Sequence, residues 1–341
     1  MPANPPRRRG PFSPLRHAMV ALVALTCSLG CDGPTAAQPG AEAQATPATV
    51  TVASWNIEWL GTPDKRRPPG EGHLQQVDHL AAYMAASDAD VIVLQEVAVP
   101  WLSVGPNGEP PALAPPRSRT THLQTFTNPI LDAVCAAMNA QEAGADWRHA
   151  IFPARGRSIV HCTGVMWNQA VLTPQGEPRP LFEEERTPMV RPPWAAAFST
   201  GEGKTDFVVV SVHFKAGDAN AQRHDEALAI LERLDRLVDD GDVVVIGDTN
   251  SRSTQDPAIR AFNDAGWQDL NQANQSTLPT GRYGLDRALI PQDQPEFAGS
   301  RQQVLAQARL DGRVVRGDAF RRLLSDHLMI VTTLRTMDDD D

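Results

Sequence analysis

Apolar and polar residues follow two different periods from Val50 onward, and together these periods predict alternating strands and helices. Continuous or alternating apolar runs predict strands at residues 51–57, 90–97, 162–168, 207–214 and 242–248. Apolar residues three and four positions apart predict helices at residues 74–86, 129–143 and 221–238. Strands that alternate with helices are typical of the α/β class.

The rest of the pattern predicts loops and two short terminal strands. Residues 100–119 and 174–193 are rich in proline, which predicts a loop in the first case and a hairpin with a loop in the second. Residues 283–290 and 325–334 each place polar residues beside a short apolar strand. No repeat of fixed period interrupts this order.

A polar side chain marks the carboxyl end of four predicted strands. These side chains are Asn56, Glu96, His213 and Asp248. Ligands gather at this edge of α/β sheets because the strands hold side chains there rigidly. Taken singly, each residue has another interpretation: an aspartate after a strand can cap a turn, and a lone histidine is more often structural than catalytic.

Composition and charge narrow the class of protein. The chain has 341 residues, of which 41% are hydrophobic and 21% are charged, so it is long enough to bury a sizeable globular core. Its net charge of −10 argues against tight, nonspecific adhesion to nucleic acid. The charge does not exclude transient contact of nucleic acid with a cleft.

The amino terminus predicts export. Three arginines precede an apolar run at residues 18–29, so residues 1–30 are predicted to form a signal peptide, too short to span a membrane. The following "SLGC" resembles a lipoprotein cleavage motif, which makes Cys31 the predicted lipidation site and residues 31–49 a flexible tether. We therefore expect a periplasmic or cell-envelope lipoprotein, with ordinary cleavage and secretion as the alternative.

Export also affects whether the remaining cysteines can form a disulfide. Cys135 and Cys162 would reach an oxidising compartment, where a disulfide can form. We expect two separate buried thiols, and a disulfide is the alternative.

Six segments in chain order carry a family resemblance: "SWNIEWL", "VLQEV", "SVHFKAG", "IGDTNS", "GLDRALI" and "SDHLMI". Together they resemble the signature segments of the endonuclease/exonuclease/phosphatase superfamily, metal-dependent hydrolases related to pancreatic deoxyribonuclease. The resemblance implies a four-layer α/β sandwich, in which two mixed β-sheets pack face to face and are flanked by helices. Periodicity alone fits a doubly wound single sheet equally well. The implied domain covers residues 50–337, and residues 338–341 form an acidic tail.

The resemblance also implies a set of site residues. The metal would be Mg²⁺, or Mn²⁺, with Ca²⁺ as a further option. The metal-binding positions of the family fall on Asn56, Glu96 and Asp326, and the catalytic positions fall on His213, Asp248, Asn250, Asp286 and His327. In these roles His327 is the general base, Asp286 orients it, Asp248 and Asn250 hold the water and phosphate, and His213 assists the leaving group.

Three basic residues are weaker candidates for phosphate binding. They are Arg157, Lys215 and Arg223. For Arg223, pairing with acids on its own helix is an equally good interpretation.

The implied function is that of an exported, divalent-metal-dependent phosphodiesterase, with nucleic acid as its expected substrate. The chain would meet the membrane through a lipid on Cys31, and no stable protein partner is predicted. The alternatives are a phosphatase or phospholipid phosphodiesterase and, in a different class, a non-catalytic surface binding protein with the same fold.

Overall fold

The structure is a computed structural model that describes residues 49–62, 75–111, 125–152, 161–182, 189, 191–237 and 242–336. The predicted signal peptide, Cys31, Arg157 and the acidic tail lie outside the described residues. Within the described part of the chain, no helix has both the length and the apolar character needed to cross a membrane.

The described residues form fifteen strands and five α-helices. The strands are β1 (Thr49–Leu60), β2 (Val91–Ala98), β3 (Trp147–Phe152), β4 (His161–Asn168), β5 (Thr173–Pro174), β6 (Arg179–Pro180), β7 (Trp194–Ser199), β8 (Asp206–His213), β9 (Val243–Asp248), β10 (Trp267–Asp269), β11 (Asp286–Pro291), β12 (Gln303–Val304), β13 (Ala308–Leu310), β14 (Arg313–Val315) and β15 (Ile330–Arg335). The helices are α1 (Val77–Ala85), α2 (Pro129–Gln141), α3 (Asn220–Leu237), α4 (Pro257–Asp264) and α5 (Gly317–Leu323).

These strands build two large mixed sheets. The first sheet has the order β12-β15-β1-β2-β4-β3, and only its β1–β2 pair is parallel. The second has the order β10-β11-β9-β8-β7-β5, with β6 also paired to β7, and only its β8–β9 pair is parallel. Strands β13 and β14 form a separate hairpin.

Three apolar clusters separate four layers. One face of each large sheet contributes to a shared cluster, which includes Val52 and Val93 of the first sheet and Val209 and Ile246 of the second. A second cluster joins the first sheet to α1 and α2, and a third joins the second sheet to α3 and α4. Because both faces of each sheet are covered, the sequences of central strands such as β9 are continuous apolar runs. The four-layer sandwich is therefore confirmed.

Most predicted elements match observed ones with small shifts at their ends. All five strands and all three helices predicted in residues 51–248 are present as β1, β2, β4, β8, β9, α1, α2 and α3. For the hairpin and loop predicted in residues 174–193, the described residues show β6 paired antiparallel with the next strand, β7, whereas β5 also pairs with β7 and not with β6.

The two cysteines of the folded part remain separate. Cys135 and Cys162 are both free and buried, as expected. Burial raises the pKa of the Cys135 thiol to about 12, so this group is a poor nucleophile at neutral pH.

Candidate active site

The second sheet places three candidate residues in one row. His213 at the end of β8 pairs in register with Asp248 at the end of β9, and Asp248 pairs with Asp286 at the start of β11. All three side chains are buried. The row exists because β8 and β9 are parallel, whereas β11 runs antiparallel to β9 and therefore begins where the other two end.

The first sheet contributes Asn56 and Glu96, which face this row. The Asn56 amide nitrogen donates to Asp248 Oδ2 at 3.1 Å and lies 3.3 Å from Glu96 Oε1. Its Oδ1 accepts a hydrogen bond from the Glu58 amide. Asn56 thus orients two carboxylates with its nitrogen. Its oxygen is engaged by the Glu58 amide, and its role as a metal ligand stays a prediction.

Local backbone irregularities aim these side chains. The β2–β4 register shifts between Leu94 and Val97, and Glu96 has a φ of 62° within that shift, which is how β-bulges turn a side chain toward a site. Gly247, with a φ of 150°, leaves no room for a side chain, since a Cβ there would lie 2.0 Å from the Val212 carbonyl oxygen. The glycine before Asp248 is therefore required by close packing of β8 and β9.

His327 and Asp286 form the most direct contact of the site. Their Nδ1 and Oδ2 atoms are 2.8 Å apart, with both residues buried. With the Asp286 carboxylate as the acceptor, Nδ1 is the donor, so Nε2 is the ring nitrogen that can accept a proton when the ring is neutral.

The backbone of His327 is fixed by the first sheet. Its carbonyl accepts from the Trp55 indole at 3.0 Å, and its amide donates to Ser325 Oγ. Ser325 in turn donates to the Asn56 carbonyl at 2.6 Å. The loop between α5 and β15 is thereby tied to β1, so a histidine carried by one sheet meets an aspartate carried by the other.

Asp326 lies beside the same group of carboxylates. Its amide donates to Glu58 Oε2 at 2.9 Å, and its side chain is half-buried. Burial raises the pKa of Glu96, and the charge of Asp326 raises it further. The charge of Asp326 therefore acts on Glu96, and the role of both residues as metal ligands stays a prediction.

Burial of several like charges shifts the pKa values at the site. Burial raises the pKa of Asp248 to about 7, although the His327 charge opposes the rise. For His327, burial acts to lower the pKa, but the Asp286 carboxylate outweighs it and raises the pKa above its usual value. The charges of His327 and Arg191 partly offset the rise in the pKa of Glu96.

His213 lies close to two carboxylates of the site. Its Nε2 lies 3.4 Å from Asp248 Oδ2 and 3.9 Å from Glu96 Oε1. Burial holds its pKa well below the usual value, with the Arg191 charge acting in the same direction. A neutral imidazole this close to Asp248 can hold that carboxylate in position, and assistance to the leaving group, the role that the resemblance implies, stays a prediction.

Of the remaining predicted residues, Asn250 and Lys215 are half-buried, whereas Arg223 is buried. Asn250 is half-buried, donates to the Phe214 carbonyl, and has its amide held by Asp248 Oδ1 at 2.8 Å. Lys215 is half-buried, and its backbone amide donates to Glu226. Arg223, in contrast, is 1% exposed, and its guanidinium donates to the carbonyls of Lys215 and Gly217. The prediction that Arg223 binds phosphate is therefore replaced by a structural role in holding this loop.

Sequence reasoning missed Arg191. Its guanidinium donates to the carbonyls of His213 and Phe214 at 3.1 and 2.6 Å, and its charge acts on Asp248 and Glu96. An arginine before two prolines gives no periodic signal, so only the pairing of β7 with β8 reveals its place.

The donor set suits a divalent cation. Ligand atoms of Asp248, Asp286 and His327 lie within 4.8 Å of one another, and Asp286 Oδ1 is buried with no hydrogen-bond partner among the described residues. Carboxylate oxygens are the ligands that Mg²⁺ and Ca²⁺ prefer. Because His327 Nδ1 is already engaged by Asp286, the carboxylates of Glu96, Asp248, Asp286 and Asp326 are the better candidates.

The fold is a four-layer α/β sandwich, and its candidate site is a group of carboxylates and histidines at the ends of the two sheets. Residues 53–327 match the sequence profile of the Endonuclease/Exonuclease/phosphatase family. The chain belongs to this family.

Solved structures agree with that fold. An endonuclease/exonuclease/phosphatase family protein from Bacteroides thetaiotaomicron is 16% identical, with a TM-score of 0.54 over 86% of this chain and 96% of its own. A mannosyl-6-phosphatase from the same species is 16% identical, with a TM-score of 0.53 over 84% and 99%. The human Nocturnin catalytic domain with bound sulfate is 14% identical, with a TM-score of 0.53 over 85% and 95%.

At these identities the likeness extends to the fold alone. No curated protein matches the chain.

Proposed function

We propose that the chain is a divalent-cation-dependent phosphodiesterase that cleaves nucleic acid by attack of water on phosphorus. The observation that carries the proposal is the contact between His327 and Asp286, 2.8 Å apart, beside the row of Asp248 and His213. This is the arrangement that a general base needs: one ring nitrogen is held by a carboxylate, and the other can accept a proton.

In the proposed reaction the water loses its proton as it attacks. Nε2 of His327 accepts that proton, and Asp286 stabilises the charge that develops on the ring. Asp248 and Asn250 orient the water and the phosphate, while His213 holds Asp248 in place. A bond then forms between the water oxygen and phosphorus, the opposite P–O bond breaks, and the departing oxygen takes a proton from solvent.

A divalent cation fits this arrangement. Glu96 and Asp326 are the residues that would hold it, with Asp248 and Asp286 close by. When bound, the cation supplies positive charge that offsets the charge of the phosphate and the carboxylates.

Phosphatase activity is the second candidate. A mannosyl-6-phosphatase shares the fold, and a phosphomonoester would meet the same carboxylates and histidines. We favour the phosphodiesterase because the candidate site retains two histidines, His213 and His327, which matches the deoxyribonuclease branch that the sequence resembles.

The first test is nicking of supercoiled plasmid by residues 50–341 with Mg²⁺. We expect nicking that a chelator abolishes and that Asp248→Ala lowers by ~10²–10⁴-fold. The matched control is Asp264→Ala, which removes an exposed aspartate at the end of α4 and should leave the rate unchanged. If folded wild-type protein leaves the plasmid intact but releases phosphate from sugar or inositol phosphates, the phosphatase takes precedence.

We also propose export of the chain and lipidation of Cys31, on the basis of the arginines and the apolar run at residues 18–29. Mass spectrometry of membrane fractions should find a lipid-modified amino terminus at Cys31. An unmodified terminus at or beyond Thr46 would contradict the lipid anchor.

A further inference from the structure

One residue from each of two loops, Arg252 and Tyr283, meets the other near the strand ends that carry Asp248 and Asp286. Asp248 and Asp286 are register partners on β9 and β11, Arg252 follows Asp248 by four residues, and Tyr283 precedes Asp286 by three. The Arg252 guanidinium carbon lies 5.2 Å from the centre of the Tyr283 ring. The arginine–tyrosine pair is therefore held at the same sheet edge as the candidate catalytic carboxylates.

The Tyr283 ring is open to solvent. It is 45% exposed, and it is the only aromatic among the large hydrophobic side chains that are exposed in the described part of the chain. A single exposed hydrophobic side chain is ordinary on a protein surface. Tyr283 is distinguished by its partner, because an aromatic ring paired with arginine offers a stacking face beside a positive charge.

Arg252 is available to an anion. Its guanidinium contacts Asp218 at 3.2 Å, but the two side chains are 53% and 91% exposed. Ion pairs this exposed contribute little to stability, so a phosphate can displace the Asp218 carboxylate without a large penalty. Arginine then binds phosphate through two parallel hydrogen bonds.

A polar cavity includes Arg252 in its lining. Its volume is about 620 Å³, within the range of small-ligand sites, and its lining includes Asp218, Asn220, Arg252, Ser253, Gln255 and Asp256. Asp256 is buried; its Oδ2 accepts from the Arg252 amide, and its Oδ1 has no hydrogen-bond partner among the described residues. Oxygen and amide groups dominate the lining, which suits a polar ligand and not an acyl chain.

We propose that Arg252, Tyr283 and this cavity form a nucleotide-binding subsite next to the scissile phosphate. Tyr283 stacks on a base of the substrate strand, Arg252 binds the phosphate beyond it, and the cavity accepts the attached nucleoside. This inference rests on the proposed nuclease function and names its substrate as a nucleic acid strand with unstacked bases. An inositol phosphate or a lipid head group has no base and would gain nothing from Tyr283.

The test compares two substrates in purified protein with Mg²⁺. One is a 12-nucleotide single strand, and the other is methyl 4-nitrophenyl phosphate, a diester without a nucleoside. We expect Tyr283→Leu and Arg252→Gln each to lower the ratio of kcat/KM for the strand to that for the small diester by roughly tenfold. Tyr283→Phe keeps the ring and should keep the ratio.

Salt dependence and charge reversal provide independent readouts. Arg252→Gln should reduce the slope of log(kcat/KM) against log[salt] for the strand by about 0.7, the value for one lost phosphate contact on single strands. Asp218→Asn, which removes the competing carboxylate, should raise the substrate ratio. Arg313→Gln, an exposed arginine on β14, is the control and should change neither quantity.

Failure of this inference can be separated from failure of the proposed function. If wild-type protein cleaves the strand and the Tyr283 and Arg252 variants retain the ratio, the subsite is wrong while the nuclease stands. If wild-type protein cleaves neither strand nor plasmid, both are overturned.

Discussion

At the scale of single residues, the candidate chemistry depends on partners that are far apart in sequence. Asp286 and His327 are separated by 41 residues, and Asn56 contacts Asp248 across 192 residues. The type of each residue was predictable, since carboxylates, an amide and imidazoles suit a metal-assisted hydrolase. The direction of each side chain was not, which is why Arg223 was assigned a phosphate-binding role that its burial and contacts do not support.

The Asp286–His327 pair should behave as one unit. We expect Asp286→Asn and His327→Ala each to lower phosphodiesterase turnover by ~10²–10⁴-fold, because the first removes the orientation of the ring and the second removes the ring. The double variant should be no slower than His327→Ala alone. Steady-state rates of the three variants measure this. Multiplicative losses would show that Asp286 acts independently of His327.

At the scale of elements, the helices α1 and α2 differ in how their amino-terminal ends are capped. The Asn128 side chain accepts from the amides of Ile130 and Leu131 at the start of α2 and donates to Ser103 Oγ at 2.7 Å. Gln76, at the start of α1, makes no such capping bond. Both positions precede strongly apolar helices, so periodicity predicted the helices but not this difference.

This contrast gives a stability prediction. Asn128→Ala should lower the free energy of unfolding by about 1–2 kcal/mol, because amides at the helix start lose their acceptor. Gln76→Ala is the matched control and should change it by less than ~0.5 kcal/mol. Urea denaturation at constant pH measures both. Equal effects of the two substitutions would contradict the assignment of the cap.

At the scale of the whole molecule, the two sheets meet at the candidate active site. Each sheet has one parallel pair, β1–β2 and β8–β9, and the ends of both pairs face one another there. Glu96 and Asn56 come from one sheet and Asp248, His213 and Asp286 from the other. A cation bound by this group would therefore link the two halves of the sandwich.

Cation binding should consequently stabilise the native protein. At a Mg²⁺ concentration about 100 times its dissociation constant, the gain is about 2.7 kcal/mol, which for a domain of this size raises Tm by roughly 4–5 °C. Scanning calorimetry with Mg²⁺ and with a chelator measures the shift. Glu96→Gln should reduce it, and Glu202→Gln, on an exposed turn, should not. An unchanged Tm in wild-type protein would argue against the site.

The amino-acid sequence by itself determined the alternation of strands and helices and the polar residues at strand ends. Both follow from local rules, since period and strand length are set by neighbours along the chain. The strands β3 and β10 and the alanine-rich β7 were missed because three to six residues carry too little periodicity.

Only the tertiary structure decided which residues meet. Register between β8, β9 and β11 aligned His213, Asp248 and Asp286, and the tie between Ser325 and Asn56 brought His327 to them. Packing also buried Arg223 and left Tyr283 exposed beside Arg252. These outcomes depend on contacts between distant segments, and the local pattern of a sequence does not specify such contacts.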